Sequence, residues 1–136
     1  GRRGVGCLDR GLHGMPGVRI DAAILAEMPA PTLESLEKLR GTPRDGALLR
    51  YSLGLEYLKA GSRARAIAEL REALARDAGY SAAWKALGRA LAEDGRAAEA
   101  LEAYTRGIEA ARARGDRQAE KEMTVFARRL EKQRGA

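Results

Sequence analysis

The chain has 136 residues, a formal net charge of +6, one cysteine and few aromatic side chains. A single cysteine excludes an internal disulfide and a cysteine-rich metal site, and this length suits one domain with one core. The apolar residues are mainly Ala and Leu, which favour packed helices over a sheet, and no apolar run approaches the length of a membrane span. We therefore expect an all-α protein in a reducing, cytoplasmic setting.

The first part of the chain has a glycine-rich start and no sustained apolar period. We expect residues 1–30 to form a flexible leader, with a short helical stretch at IDAAILAEM (20–28), and the functional unit to begin near Met28. Residues 31–46 predict a short helix, LESLEKL, with Thr32 as its N-cap. A turn, GTPRDG, follows, and its Asp45 is predicted to cap the next helix.

Beyond residue 45 the apolar residues recur at helical spacing, and turn residues separate the periodic stretches. The pattern predicts helices near 45–60, 63–76, 80–93, 97–113 and 116–132. Gly61 and Gly95 mark two of the turns, and Asp116 is the predicted cap of the last helix.

The sequence matches itself when it is shifted by 34 residues. The identical pairs are Leu53 and Leu87, Gly54 and Gly88, Gly61 and Gly95, Ala64 and Ala98, and Ala66 and Ala100. Helix-pair repeats of 34 residues are typical of the tetratricopeptide repeat (TPR) family. Its pattern W-x2-L-G-x2-Y…A-x3-F is present as Trp84, Leu87, Gly88, Leu91, Ala100 and Tyr104, so the chain resembles that family.

The resemblance implies a short right-handed α-solenoid of antiparallel helix pairs with a C-terminal capping helix. Repeat 1 would span 47–80, repeat 2 would span 81–114, and the capping helix and tail would span 115–136. Two departures do not break the register: Arg50 stands where the first copy should have Trp, and DAGY (77–80) replaces the usual proline link. The last predicted helix keeps one apolar stripe, as expected at the end of a solenoid: Ala119, Met123, Phe126 and Leu130.

Gly88 lies between two leucines of a predicted helix, where glycine costs about 0.5–1 kcal/mol relative to alanine. Because Gly54 repeats it, we predict that both glycines let paired helices approach closely. Ala66 and Ala100 are the predicted facing partners, and Trp84 is predicted to be a further packing residue.

TPR proteins bind peptides or helices of other proteins in a concave groove formed by the first helix of each pair. The resemblance implies a groove lined by Leu48, Tyr51, Leu55, Leu58, Lys59, Ala82, Lys85, Arg89, Ala92, Ala119 and Met123. Lys85 and Arg89 share one helix face and could hold an acidic segment or a C-terminal carboxylate. However, the asparagines of carboxylate-binding TPR domains are absent, with Leu55 in the corresponding place.

Two alternatives remain open within this groove. Lys85 and Arg89 could instead be solvated charges that pair with Glu93 or its neighbours. Tyr51 could anchor a ligand, or it could pack against the predicted helix at 32–40.

The sequence offers no pattern for catalysis, a cofactor or a metal. Cys7 and His13 are isolated, and GVGCLD lacks the strand and the third glycine of a phosphate loop. We predict a non-enzymatic adaptor that binds a protein or peptide and is a monomer or weak homodimer. The alternative is RNA binding through a diffuse basic surface, although one groove tyrosine and three cations offer little for base stacking.

Overall fold

The computed structural model describes residues 31–135, and all regular secondary structure in this part of the chain is helical. The helices are α1 (Leu33–Glu37), α2 (Ala47–Lys59), α3 (Arg63–Arg76), α4 (Ser81–Glu93), α5 (Ala97–Arg114) and α6 (Arg117–Gly135). These bounds differ from the predicted ones by a few residues at most, and the all-α solenoid is confirmed. The predicted leader, with Cys7 and His13, lies outside the described residues.

The two helix pairs use the same turn, 34 residues apart. The turn between α2 and α3 contains Gly61 and the turn between α4 and α5 contains Gly95, with φ of +81° and +78°. Directly after these glycines, the N–H groups of Ser62 and Arg96 each donate over 2.9 Å to the carbonyl five residues earlier. Glycine adopts this left-handed conformation without strain, so the sequence can reverse direction sharply and place the paired helices antiparallel.

Two helix starts are capped by the side chains that the sequence indicates. Thr32 Oγ1 accepts from the Ser35 N–H over 3.1 Å, and Ser35 Oγ accepts in return from the Thr32 N–H over 3.0 Å. Asp116 Oδ1 accepts from the Ala119 N–H over 3.1 Å at the start of α6. These bonds satisfy N–H groups that have no partner inside the helix.

Gly54 and Gly88 are buried where the two helices of each pair meet. A Cβ atom on Gly54 would lie 2.7 Å from Leu70 Cγ, and one on Gly88 would lie 2.5 Å from Tyr104 Cε1. Carbon atoms do not approach this closely without repulsion, so each site has room for a backbone and no side chain.

The side chains that face these glycines are not the predicted ones. Leu70 and Tyr104 lie one helical turn beyond Ala66 and Ala100, and they fill the space that the missing Cβ leaves. Ala66 contributes only its carbonyl oxygen, 3.4 Å from a Cβ on Gly54. Both alanines are buried elsewhere in the core, where their small size keeps the helices close.

Gly107 makes a third close approach, which the sequence analysis missed. A Cβ there would lie 2.6 Å from Trp84 Cβ and would also overlap Met123 Sδ. The Trp84 side chain therefore packs against the C-terminal part of α5. Its indole N–H donates to the Ala78 carbonyl over 2.8 Å. This contact joins the second helix pair to α6.

An ion cluster occupies the place where the first repeat lacks its tryptophan. Arg50 donates to Asp45 over 2.8 and 2.9 Å and to Glu69 over 3.1 Å. The prediction that Asp45 caps α2 is wrong, because Gly46 is the N-cap and the Asp45 carboxylate instead accepts from Arg50 and from the Gly41 N–H. The Arg50 guanidinium and the Gly41 N–H hold the pKa of Asp45 well below its usual range.

Helix α1 closes the N-terminal edge of the solenoid. Its leucines cover an apolar cluster that includes Leu49 and Leu53. Arg40 bonds to both Glu37 and Glu69, and the Tyr57 hydroxyl donates to Glu37. These hydrogen bonds lower the pKa of Glu37, so apolar and ionic contacts together attach the short helix to the first repeat.

Helix α6 closes the C-terminal edge with the predicted apolar stripe. Ala119 and Met123 are buried, while Phe126 and Leu130 are half-buried beside them. Met123 has 0% of its surface exposed. It therefore belongs to the core and cannot line a groove, and the same correction applies to Ala119.

Candidate partner-binding groove

A groove crosses α2, α4 and α6, which are the first helices of the two pairs and the terminal helix. Its volume is about 540 Å³. The lining residues are Tyr51, Leu55, Leu58, Ala82, Lys85, Ala86, Arg89, Tyr104, Glu122 and Phe126. Because the repeat presents the same face of each first helix, side chains far apart in sequence come together on one concave surface.

Aromatic rings form part of the groove surface. The ring centroids of Tyr51 and Tyr80 are 5.0 Å apart, and those of Tyr104 and Phe126 are 5.7 Å apart. Burial raises the pKa of Tyr80 and of Tyr104, so both phenols stay neutral at physiological pH. Such tilted pairs are a favourable aromatic geometry, and they hold the apolar part of the groove in a fixed shape.

Tyr51 follows neither simple alternative from the sequence. It packs against Tyr80, whereas the leucines of α1 contact a different cluster around Leu49. Part of its surface still lines the groove. One face of Tyr51 is therefore structural, and the other is available to a ligand.

The two groove cations are each paired with a carboxylate of this chain. Lys85 Nζ lies 2.7 Å from Glu122 Oε1 of α6, and Arg89 Nε lies 3.0 Å from Glu93 Oε2 one turn along α4. Hydrogen bonds from Lys85 and Gln118 lower the pKa of Glu122. This arrangement matches the alternative of charge pairing, so a ligand carboxylate would have to compete with Glu122 or Glu93.

The structure brings together most, but not all, of the predicted groove residues. Tyr51, Leu55, Leu58, Ala82, Lys85 and Arg89 line one surface. Leu48 is 68% exposed at the start of α2 and does not line it. Lys59 bonds to Glu56 over 3.1 Å outside the groove, and Met123 is core. Leu48 and Lys59, at the two ends of α2, therefore lie outside the groove.

Sequence reasoning missed four groove residues: Ala86, Tyr104, Glu122 and Phe126. Tyr104 belongs to a second helix of a pair, but the absence of a side chain at Gly88 brings its ring towards the groove. Phe126 had been predicted only as part of the apolar stripe of α6. Helical spacing also places Glu122 four residues before Phe126, and that relation could have indicated both.

The described residues contain no cluster of His, Cys, Asp and Glu side chains that could hold a metal ion. None of the helices described is both long and apolar enough to cross a membrane. The chemistry of the groove is that of apolar contact with a charged rim.

The chain is a short helical-repeat protein, because it has two helix pairs in 34-residue register, a terminal helix and a groove across the first helices. No protein-family model matches the chain. TPR repeat-containing protein PA0015 of Pseudomonas aeruginosa is 46% identical over 102 residues, which cover 75% of this chain and 97% of that protein.

Solved structures agree with this relationship. The solution structure of protein BPP2914 from Bordetella parapertussis is 42% identical and matches with a TM-score of 0.67, covering 78% of this chain and 91% of that one. The crystal structure of a TPR domain protein from Salinibacter ruber is 29% identical, with a TM-score of 0.61 and coverage of 64% and 97%. The chain therefore belongs to the TPR family, whose domains generally mediate protein–protein interaction.

Proposed function

We propose that this protein is a non-catalytic adaptor that binds an amphipathic helical segment of a partner protein in the groove across α2, α4 and α6. The observation that supports this proposal is the half-buried apolar strip in the groove, formed by Tyr51, Leu55, Leu58 and Phe126. Charged pairs flank the strip. An apolar centre with a polar rim is the usual anatomy of a protein interface.

A helix fits the dimensions of the groove. Packed helices are about 8–10 Å apart, so a ligand that crosses three of them spans roughly 20 Å. A helix rises about 1.5 Å per residue, and a segment of about 13 residues would therefore cover the groove. We expect its apolar side chains at helical spacing to contact Leu55, Leu58 and Phe126.

The cations of the groove determine the orientation of the bound segment more than its affinity. Arg89 and Glu93 are exposed, and Lys85 and Glu122 are partly exposed. Exposed ion pairs contribute about 0.2–1 kcal/mol, so exchanging Glu122 for an acidic side chain of the partner changes the binding energy little. The apolar strip provides most of the affinity, and an acidic residue near Lys85 would fix the direction of the bound segment.

The same pairing disfavours RNA binding in the groove, while the alternative of RNA binding through a diffuse basic surface is tested by nuclease treatment. A phosphate backbone is held by cations that release counterions, but both groove cations already have carboxylate partners.

Since the chain has a single cysteine, we propose that partner binding takes place in a reducing compartment such as the cytoplasm.

Two matched variants of α2 test this function. Leu55→Arg places a cation inside the apolar strip, whereas Leu48→Arg makes the same change on an exposed side chain outside it. Each immobilised protein captures partners from lysate of the source organism, with and without nuclease treatment, for quantitative mass spectrometry, and circular dichroism is the folding control.

We expect a defined set of proteins to be captured by the unmodified chain and by Leu48→Arg and to be lost with Leu55→Arg. Capture that is equal for both variants would refute the groove as the binding site. Capture that disappears on nuclease treatment would show instead that nucleic acid is the primary ligand.

A further inference from the structure

A second cleft lies between the C-terminal end of α5 and the outer face of α6. Its volume is about 780 Å³. The lining residues are Arg112, Gly115, Arg117, Glu120, Lys121, Thr124, Val125 and Arg128. This set holds four cationic side chains and a single carboxylate, with Val125 as its one large apolar side chain.

The 34-residue repeat shows what this face corresponds to. Lys121, Thr124 and Val125 occupy the positions that Leu87, Ala90 and Leu91 occupy one repeat earlier. On α4 those three residues are buried in a core shared with the preceding second helix, α3, and the following one, α5. On α6 the preceding second helix, α5, is present at the cleft, and the described part of the chain has no following one. The outer face of α6 is therefore the place where the second helix of a third repeat would lie. Within the described residues no helix covers this face.

We propose that this cleft binds an acidic amphipathic helix of a partner protein, which completes a third helix pair with α6. Charge complementarity identifies the occupant. Arg112 pairs with Glu120 over 2.9 Å, while Arg117, Lys121 and Arg128 form no ion pair with another described residue. Three cations around the cleft therefore favour a partner with carboxylates along its helix.

Val125 supports a protein segment over a phosphate backbone. It is 44% exposed and lies among the cationic residues of the cleft, so an apolar side chain of a docked helix can cover it. The cleft lining contains no aromatic ring on which a nucleic-acid base could stack. A second copy of this chain is disfavoured by its own net charge of +6.

This site is separate from the groove of the proposed function. Glu122 and Phe126 line the groove, whereas Lys121 and Val125 line the cleft. Their positions along one helix place the two pairs on different faces of α6. One partner can therefore occupy the groove while another occupies the cleft.

The test uses the full chain and a designed 18-residue helical peptide with leucines on one face and glutamates on both flanks. Affinity is measured by fluorescence anisotropy at physiological ionic strength, with a peptide of shuffled sequence and equal charge as the reference ligand. Lys121→Glu/Arg128→Glu reverses two cleft charges. Arg129→Glu/Arg134→Glu makes the same charge change on α6 outside the cleft and serves as the matched control.

We expect the cleft variant to bind the peptide on the order of tenfold more weakly or worse, and the matched control to stay close to the unmodified chain. Val125→Gln should also weaken binding, because the apolar contact is lost. Every chain in this titration also carries Leu55→Arg, so that the groove, to which the proposed function assigns amphipathic helices, does not contribute. Circular dichroism verifies that each variant is folded.

Several results would overturn the proposal. Equal loss in both charge variants would mean non-specific attraction, and no measurable binding once Leu55→Arg disables the groove would place the peptide in the groove. Equal affinity for the shuffled peptide would show that charge alone is recognised. The same conclusion would follow if a mixed-sequence single-stranded oligonucleotide bound more tightly than the peptide and its affinity did not change with Val125→Gln.

Discussion

Replacing Gly88 with alanine tests the packing of the second helix pair most directly. The new Cβ would lie 2.5–2.7 Å from three atoms of the Tyr104 ring. That ring is buried and packs against Phe126, so it cannot move without disturbing α6. Overpacking costs about 1–3 kcal/mol, and the gain in helix propensity returns about 0.5–1 kcal/mol. We therefore expect Gly88→Ala to lower the free energy of unfolding by up to roughly 2.5 kcal/mol.

A double-mutant cycle with Tyr104→Ala separates the repulsion from other effects. Urea unfolding followed by circular dichroism gives the free energy of each of the four proteins. The ring supplies the three heavy atoms nearest to the added Cβ, so without it Gly88→Ala should be neutral or stabilising by up to about 1 kcal/mol. An equal cost of Gly88→Ala with and without the tyrosine ring would refute the reasoning.

Other changes test the groove, the ion cluster and the core. Glu122→Gln frees Lys85, so an acidic groove ligand should bind roughly two- to fivefold more tightly in a titration, and an unchanged Kd would exclude Lys85 as its contact. The folded-state pKa of Asp45 lies below the unfolded value, so its stabilisation is complete above roughly pH 4 and is lost as the pH falls. Asp45→Asn should flatten the decline of the urea midpoint as the pH falls below about 4, and an unaltered profile there would contradict this. Met123→Ala should cost about 2–5 kcal/mol of unfolding free energy, against about 0.5 kcal/mol or less for Val125→Ala, and equal costs would contradict their assigned burial.

The repeat made the fold predictable because its signals are local and occur twice. Gly61 and Gly95 end helices through the same turn. The 34-residue spacing of Gly54 and Gly88 indicates a close contact between helices from the sequence alone. Partners across that contact were harder to predict. The choice between Ala100 and Tyr104 depends on how far one helix slides along another, and the sequence carries no direct measure of that displacement.

The groove was predictable where the repeat applies and less so where it ends. Leu55 and Lys85 lie on the first helices of complete pairs, and both line the groove. The α6 residues chosen from the pattern, Ala119 and Met123, are core, and the α6 residues that reach the groove are Glu122 and Phe126. An error of one residue on a helix turns a side chain by 100°, so a weak third copy could not fix which face of α6 points inwards.

The ends of the solenoid are closed by different means, and this difference bears on where partners can dock. At the N-terminal end, α1 covers the apolar edge, and the Arg50 cluster bonds its polar groups to one another. At the C-terminal end, the apolar face of α6 is turned inwards, and its outer face has Lys121 at the position that buried Leu87 occupies one repeat earlier, with Arg128 on the same cleft. Such a face resists stacking of like chains because equal charges repel. It does not resist a helix of opposite charge, so the C-terminal end is the one at which a partner can extend the solenoid.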